Sequence, residues 1–294
     1  MPTETRRSAV TDLLTASRPL SWVNTAFPFA AAYLLTTRDV DLAFFVGTLF
    51  FLVPYNLAMY GVNDVFDYAS DAANPRKGGA EGALLVPGRH RLTIIAAIAA
   101  CVPFVVALVA LGDPVSWGVL ALSLFAVAAY SVPGLRFKEI PFIDSLTSSV
   151  HFVSPAVYGL VLAGATFSPQ LVALLVAFLA WGVASHAFGA VQDIVPDREG
   201  GIASIATVLG ARRTVRFAIG AWAVAGALML ATAWPGPLAA VLVTPYIAVA
   251  APFANLTDAV SGRANAGWKR FLGINYAVGF LVTMLLIWYA AATG

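Results

Sequence analysis

Long apolar segments alternate with short polar segments along almost the whole chain. A helix that crosses a lipid bilayer needs about 20 mostly apolar residues, and charged residues, Pro and Gly divide this sequence into about nine segments of that kind. The predicted spans are residues 20–36, 41–62, 92–111, 115–132, 143–164, 170–191, 214–234, 237–254 and 271–291. The pattern therefore predicts an all-α, polytopic membrane protein in which residues 1–294 form a single membrane-embedded domain.

A short N-terminal segment precedes the first predicted span. Residues 3–17 combine Val10, Leu13 and Leu14 with charged side chains, a mixture that suits an amphipathic helix at the membrane surface. We therefore predict that residues 1–18 form a cytoplasmic or interfacial segment before the bundle begins.

Composition agrees with this architecture and excludes other classes of protein. Hydrophobic residues make up 60% of the chain, charged residues make up 11%, and the mean hydropathy is +0.83, well beyond what the core of a soluble domain requires. The net charge of +2 is small and the basic residues are scattered through short loops, so no nucleic-acid partner is predicted. The single cysteine, Cys101, has no partner for an intrachain disulfide.

The distribution of basic residues predicts how the chain is oriented. If the predicted spans alternate in direction, the N-terminus and the loops after the second, fourth, sixth and eighth spans lie on one side. That side receives all of the 17 Lys and Arg residues except Arg38. Because basic residues collect in cytoplasmic loops, we predict that this side faces the cytoplasm.

Two polar clusters end the second and sixth predicted spans, both on the predicted cytoplasmic side. The first contains Asn63, Asp64, Asp67 and Asp71, and the second contains Asp193 and Asp197. Helical residues three or four positions apart share one face, and two carboxylates about 6 Å apart repel by about 3 kcal/mol at an effective dielectric constant of about 20. A bound cation offsets this repulsion, and oxygen donors without His or Cys favour Mg²⁺ together with phosphate oxygens of a substrate. The alternative is that these are solvated helix ends that carry acids by chance.

Basic and hydroxyl side chains lie close in sequence to both clusters. They are Arg76 and Lys77 after the first cluster, Arg198 after the second, and Tyr130, Ser131, Arg136 and Lys138 after the fourth span. Acids that hold a metal ion beside Arg and Lys are the components of a site for a diphosphate group. The alternative is that these cytoplasmic loops carry Lys and Arg for reasons of membrane topology alone.

These motifs resemble those of the UbiA superfamily of intramembrane prenyltransferases. The pattern N-D-x-x-D-x-x-x-D is complete from Asn63 to Asp71, the second cluster fits D-x-x-x-D, Tyr130-Ser131 with Arg136 and Lys138 is similar to the diphosphate-contacting loop, and Arg18-Pro19 is similar to the N-terminal Arg-Pro pair. The resemblance implies a helix bundle with a central cavity, in which catalytic aspartates of both clusters converge on Mg²⁺ with support from Asn63. It also implies that Arg18 and the basic and hydroxyl residues named above bind the diphosphate of a prenyl donor.

The segment from Asn63 to Gly79 most resembles the lycopene elongases of actinobacterial carotenoid pathways. This resemblance implies dimethylallyl diphosphate as the donor, lycopene as the acceptor in C50 carotenoid biosynthesis, and the plasma membrane of a bacterial cell as the location. One alternative keeps the enzyme class but changes the acceptor to an aromatic or quinone precursor or another lipid. A second alternative is a transporter of cations or organic anions, although its ionisable residues are expected near the bilayer midplane rather than at one surface.

A prenyl transfer of this kind needs a site that shields a carbocation. Loss of diphosphate from an allylic carbon leaves a cation, which an electron-rich double bond of the acceptor then attacks. The polar residues predicted to handle protons, or to contact the cation or acceptor, are Asn24, Asn56, His151, Tyr158 and His186. His186 lies about two helical turns before Asp193 and therefore on the same helix face. For each of them the alternative is a hydrogen-bonded residue that packs helices together.

Overall fold

The computed structural model describes residues 8–73 and 84–293 of the chain. In the helix that ends at Ala73, the described side chains do not include those of Ser70, Asp71 and Ala73. Most of the described residues are helical and no strand occurs among them, which confirms the predicted all-α class.

The helices follow one another with short connections. In chain order they are α1 (Ala9–Ala16), α2 (Val23–Thr37), α3 (Leu42–Phe66), α4 (Tyr68–Ala73), α5 (Pro87–Leu111), α6 (Pro114–Ser131), α7 (Ile143–Leu162), α8 (Pro169–Glu199), α9 (Ile205–Leu209), α10 (Ala211–Met229), α11 (Gly236–Phe253) and α12 (Asp258–Thr293). Within the described residues, seven of these helices are long and apolar enough to cross a membrane, namely α3, α5, α6, α7, α8, α11 and α12. The chain is therefore an integral membrane protein.

Two of the predicted spans form helices that are not both long and apolar enough to cross a membrane. α2 has only 15 residues, and α10 carries Arg212, Arg213 and Arg216 in its first turns. Every predicted span overlaps a helix among the described residues, but the count of nine spans is not confirmed.

The largest boundary errors of the sequence prediction occur at charged residues. The predicted last span starts at residue 271 because Lys269 and Arg270 precede it. In the structure both side chains are exposed on the surface of α12, which already begins at Asp258. Long basic side chains reach water from a helix surface without interrupting its backbone hydrogen bonds, so charge alone does not end a helix.

The chain divides into two compact units. Unit 1 consists of Met1–Arg136 and Ser154–Ala165, and unit 2 consists of Phe137–Val153 and Thr166–Gly294. α7 contributes to both units, since the division falls between Val153 and Ser154, inside this helix. The single domain and the central cavity stay predictions.

An aromatic cluster fills the interior of unit 1. Phe29 of α2, Phe51 and Tyr55 of α3 and Tyr158 of α7 are fully buried. The ring of Phe51 lies 5.3 Å from that of Phe29, 5.0 Å from that of Tyr55 and 5.9 Å from that of Tyr158. Aromatic pairs at such distances add about 0.5–1.5 kcal/mol each beyond the burial of their surface. The cluster therefore fixes α2, α3 and the second half of α7 against one another.

α3 is interrupted in its middle by Pro54, which has no backbone N–H to continue the helical hydrogen bonds. The buried side chain of Asn56 supplies replacement donors. Its Nδ2 donates to the carbonyl oxygens of Phe51 at 2.8 Å and Leu52 at 3.1 Å, and to Oγ1 of Thr25 at 2.7 Å. Asn56 therefore ties the interrupted helix to α2.

Unit 2 packs around Trp222 of α10, which is fully buried. Its ring lies 5.6 Å from that of Tyr246 in α11, 5.8 Å from that of Phe188 in α8 and 6.0 Å from that of Phe271 in α12. One side chain thus joins four helices of this unit.

α1 covers part of the helix predicted near the N-terminus. Ser8 caps its start, and Asp12 on its surface accepts a hydrogen bond from Nε of Arg89 at 3.1 Å. Residues 1–7 lie outside the described residues. The position of this segment at the membrane surface stays a prediction.

Candidate active site

The first acidic motif lies where α3 changes its geometry twice. One turn of π helix, Leu57–Gly61, precedes the motif, and the regular helix ends at Phe66, where Asp67 adopts φ −98° and ψ 0°. Asp64 and Asp67 are buried, with exposed fractions of 1% and 8%. A π turn contains one residue more than a regular turn and is frequent at functional sites. In α3 this extra residue sets the face on which the motif lies.

The carboxylate of Asp64 is held by Arg18. Nη2 of Arg18 donates to Oδ1 of Asp64 at 2.9 Å, and its guanidinium carbon lies 4.3 Å from the centre of the Tyr60 ring. Arg18 has φ 50° and precedes Pro19. Such a left-handed backbone costs a residue other than glycine about 1–3 kcal/mol and is typical of functional sites.

A second arginine faces Asp67. Nη2 of Arg136 lies 3.6 Å from Oδ1 of Asp67, and Arg136 also has a positive φ, of 41°. At the end of α6, the buried Ser131 donates from its Oγ to Oδ1 of Asn63 at 2.9 Å. Each of these three motif residues therefore contacts one residue that the sequence predicts to bind diphosphate.

Unit 1 thus assembles a large part of the predicted site. The side chains brought together are Arg18, Asn63, Asp64, Asp67, Ser131 and Arg136. Tyr130 is half-buried next to Ser131, and Lys138 is half-buried in unit 2. Arg76 and Lys77 lie outside the described residues, as does the side chain of Asp71.

The second acidic motif lies at the end of α8, in unit 2. Asp193 has φ −98° and ψ 0°, the same backbone angles as Asp67, and Asp197 follows one turn later. Both side chains are partly exposed. The preceding residue, Gln192, is buried and accepts a hydrogen bond from Nδ2 of Asn265 in α12 at 2.6 Å. The two motifs share these backbone angles at an aspartate, and their convergence on one metal site stays a prediction.

Arg198 directly follows Asp197, and its guanidinium binds protein groups. Nη1 donates to Oδ2 of Asp258 at 2.8 Å, and Nη2 donates to the carbonyl oxygen of Thr207 at 2.7 Å. The sequence analysis missed Asp258, because its partner lies 60 positions away and no local pattern marks the pair.

The residues predicted to line the interior occupy different environments. Asn56 makes the helix-packing hydrogen bonds described above, and Asn24 is exposed on α2. Tyr158 lies in the aromatic cluster, and its buried hydroxyl has no hydrogen-bond partner among the described residues. His151 is buried in α7. Tyr158 therefore keeps a polar group available inside unit 1.

His186 belongs to a polar network within unit 2. Its Nδ1 shares a hydrogen bond with Oγ of Ser145 at 3.0 Å. The neighbouring Asp144 is fully buried and accepts hydrogen bonds from the backbone N–H groups of Ser145 and Ile205, each at 2.7 Å. An acidic residue inside a predicted span is by default a candidate functional residue, a signal that the sequence analysis did not use for Asp144.

The first motif has the donor atoms that suit Mg²⁺. Asn63, Asp64 and Asp67 offer only carboxylate and amide oxygens, which this ion prefers. Among the described side chains, no group of three or more His, Cys, Asp or Glu is arranged to hold a metal ion, and the predicted set also contains Asp71, whose side chain is not among them. The chemistry of the donor set therefore fits the predicted ion.

Comparison with known proteins decides the family. Residues 25–273 match the model of the UbiA prenyltransferase family. The chain belongs to this family. A C(50) beta-cyclic carotenoids biosynthesis protein of Dietzia sp. is 55% identical over 95% of this chain, which spans 65% of that relative's length. A lycopene elongase/hydratase of Corynebacterium glutamicum is 48% identical over 94% of this chain and 96% of its own length.

Solved structures show the same fold. A UbiA homolog from Archaeoglobus fulgidus bound to DMAPP and Mg²⁺ matches with a TM-score of 0.64 and 18% identity, over 91% of this chain and 98% of that chain. This match confirms the UbiA-type fold. The family match and the two sequence relatives confirm the class of prenyltransferases and the resemblance to lycopene elongases. Membership in a family of prenyltransferases sets the transporter alternative aside.

Proposed function

We propose that this chain transfers a dimethylallyl group from its diphosphate to lycopene, in the biosynthesis of C50 carotenoids, and that the reaction requires Mg²⁺. The names of the Dietzia and Corynebacterium relatives support the acceptor, and the ligands of the Archaeoglobus homolog support the donor and the metal. We further propose that the acidic motifs face the cytoplasm across a bacterial plasma membrane. The observation that carries the proposal is the pairing of Asp64 with Arg18 and of Asp67 with Arg136.

The paired charges at the end of α3 suit a diphosphate group. Asn63, Asp64 and Asp67 would hold Mg²⁺, which would supply a Lewis acid at the diphosphate oxygens. Arg18 and Arg136 lie beside the carboxylates of Asp64 and Asp67, where their guanidinium groups would neutralise the remaining negative charge of the leaving diphosphate. Ser131 fixes the orientation of the Asn63 amide through its hydrogen bond. Asp64 and Asp67 are buried, and burial strengthens the electrostatic interactions of their carboxylates.

The acceptor completes the reaction by carbon–carbon bond formation. A terminal double bond of lycopene attacks the allylic carbon, the diphosphate leaves with the electrons of the broken C–O bond, and positive charge moves to the acceptor. Because the Corynebacterium relative is named an elongase/hydratase, we propose that this cation takes up water and releases a proton. The product then carries both the added prenyl unit and a hydroxyl group.

Reconstitution with defined substrates tests the proposal. The purified protein in lipid nanodiscs is incubated with dimethylallyl diphosphate, Mg²⁺ and either lycopene or 4-hydroxybenzoate, and the products are identified by mass spectrometry. We expect elongated, hydroxylated lycopene and no prenylated aromatic acid. Prenylation of the aromatic acid alone contradicts the proposed acceptor, and an elongated product without added water contradicts the hydration step. Asp64→Asn, checked for folding by size-exclusion chromatography, serves as the inactive control.

A further inference from the structure

A hydrogen-bonded pair in unit 2 joins chain segments next to the second acidic motif. Oδ2 of Asp258 accepts from Nη1 of Arg198 at 2.8 Å, and Oδ1 of Asp258 accepts from the backbone N–H of Ala211 at 2.7 Å. Nη2 of Arg198 donates to the carbonyl oxygen of Thr207 at 2.7 Å. We call this arrangement the Arg198–Asp258 clasp. It links the end of α8, the short helix α9 and the starts of α10 and α12.

The backbone around the clasp is shaped to admit the Asp258 carboxylate. Gly210 has φ 78°, a conformation that favours glycine. A Cβ atom at this position would lie 3.0 Å and 3.2 Å from the two carboxylate oxygens of Asp258. The carboxylate also lies at the start of α10, where unsatisfied N–H groups and the helix dipole favour a negative charge. The space left by Gly210, the start of α10 and the guanidinium group of Arg198 therefore all favour an acidic side chain at position 258.

The clasp acts on the turn that contains Asp197. The last turn of α8 ends at Glu199, and Gly200 and Ile202 donate back to the carbonyl oxygens of Pro196 at 2.9 Å and Asp197 at 2.8 Å. Helix ends lack intrahelical partners and fray unless other groups hold them. Arg198, the residue after Asp197, is held at both terminal guanidinium nitrogens, so this turn is fixed to the rest of unit 2.

We propose that Arg198 and Asp258 act as one positioning unit that directs the carboxylate of Asp197, and that Arg198 does not bind the diphosphate. The inference rests on the proposed function, in which Asp197 belongs to the metal-binding set. It differs from the sequence-based prediction, which gives Arg198 a direct contact with the donor. The two roles lead to different kinetic behaviour, because only a positioning pair loses its whole effect when either partner is removed.

A double-mutant cycle in the full-length protein separates the two roles. The variants are Arg198→Gln, Asp258→Asn and the double variant. Asp258→Asn keeps an oxygen acceptor for Ala211 while it removes the charge that holds Arg198. We expect each single change to raise the Mg²⁺ concentration for half-maximal activity by about two- to fivefold, the range of a partly exposed ion pair. We expect the double variant to match the single variants and the KM for the donor to change little.

A matched control tests whether loss of any exposed arginine has the same effect. Arg216 at the start of α10 is exposed and donates to the carbonyl oxygen of Ala254 and to Oδ1 of Asn255. We expect Arg216→Gln to keep the wild-type Mg²⁺ requirement. The positioning role is wrong if Arg198→Gln raises the KM for the donor while Asp258→Asn leaves it unchanged. It is also wrong if the effects of the two single variants on the Mg²⁺ requirement multiply in the double variant.

Binding of Mn²⁺, measured by electron paramagnetic resonance without donor, gives a readout independent of turnover. We expect both single variants to weaken Mn²⁺ binding about two- to fivefold, as for the activity. If the wild-type enzyme is active but both variants bind Mn²⁺ as tightly as the wild type, the positioning role of the clasp is wrong and the proposed function stands. A wild-type protein that binds Mn²⁺ but transfers no prenyl group overturns the proposed function, while weaker Mn²⁺ binding in both variants still supports the clasp.

Discussion

Asp64 and Arg18 are 46 positions apart in the sequence, and an ion pair of 2.9 Å joins the carboxylate of one to the guanidinium of the other. The side chain of Asp64 is completely buried, whereas that of Arg18 is 24% exposed. A buried carboxylate is costly without a compensating charge. The pair therefore fixes the first aspartate of the motif through contacts made by the protein itself.

Replacement of Arg18 is expected to impair both stability and activity. Arg18→Gln leaves the buried Asp64 without this cation, which costs about 3–5 kcal/mol when a buried pair is broken. Arg18→Lys keeps the charge but loses the planar group that stacks on Tyr60, and we expect an intermediate effect. Thermal unfolding in detergent and kcat/KM measure the two consequences.

Arg38 offers a matched control for the arginine variants. It also has a left-handed backbone, with φ 57°, but it is exposed at the end of α2. We expect Arg38→Gln to have the same thermal stability and the same kcat/KM as the wild type. Equal effects at both positions contradict a specific role for the pair between Arg18 and Asp64.

Removal of divalent metal is expected to abolish turnover. EDTA should reduce the activity by at least about 10²-fold, because the leaving diphosphate loses electrostatic stabilisation, and added Mg²⁺ should restore it. Asp64→Asn keeps the shape of the side chain but not its charge, so we expect little response to Mg²⁺. Turnover in the presence of EDTA, measured by product formation in nanodiscs, contradicts the metal assignment.

Loss of the Ser131 hydroxyl is expected to have a smaller effect. Ser131→Ala removes the hydrogen bond to Oδ1 of Asn63, a loss of about 0.5–1.5 kcal/mol. This corresponds to a fall in kcat/KM of roughly two- to tenfold. Ser123 on the same helix is also buried but bonds only locally, to the carbonyl oxygen of Val119. A similar loss of activity in Ser123→Ala contradicts the role of Ser131.

Asn56 is expected to matter mainly for folding. Asn56→Ala removes donors from the carbonyl oxygens of Phe51 and Leu52 and from Oγ1 of Thr25. We expect destabilisation of about 2–4 kcal/mol, because the buried hydrogen bonds that join α3 to α2 are lost. Denaturant unfolding in detergent measures this change. Asn24→Ala, at an exposed position of α2, should change the unfolding free energy by about 0.5 kcal/mol or less.

The sequence predicts the features that depend on local patterns. Apolar segments about 20 residues long mark membrane helices through length and hydropathy alone. The spacing of Asn63, Asp64 and Asp67 within one helix end is equally local, and the structure shows Asp64 and Asp67 buried and Asn63 half-buried. Their position as metal ligands remains a proposal.

Contacts between distant segments could not be predicted. The pairing of Arg198 with Asp258 depends on how α8 meets the start of α12, and the position of Tyr60 below Arg18 depends on how the N-terminal segment folds back on α3. Neither pair has a repeating pattern that a single sequence reveals. The start of the last helix at Asp258 was missed for a related reason, since tertiary packing extends helices through charged residues.

The π turn at Leu57–Gly61 makes the spacing between Pro54 and Asn63 part of the site. A π turn uses one residue more than an α turn for about the same rotation, and each residue of an α-helix turns the chain by about 100°. If the same residues formed a regular α-helix, Asp64 would rotate by about 100° away from Arg18, although every letter of the motif remained in place. A related helix without the π turn therefore presents its aspartates on the same face only if this interval is one residue shorter.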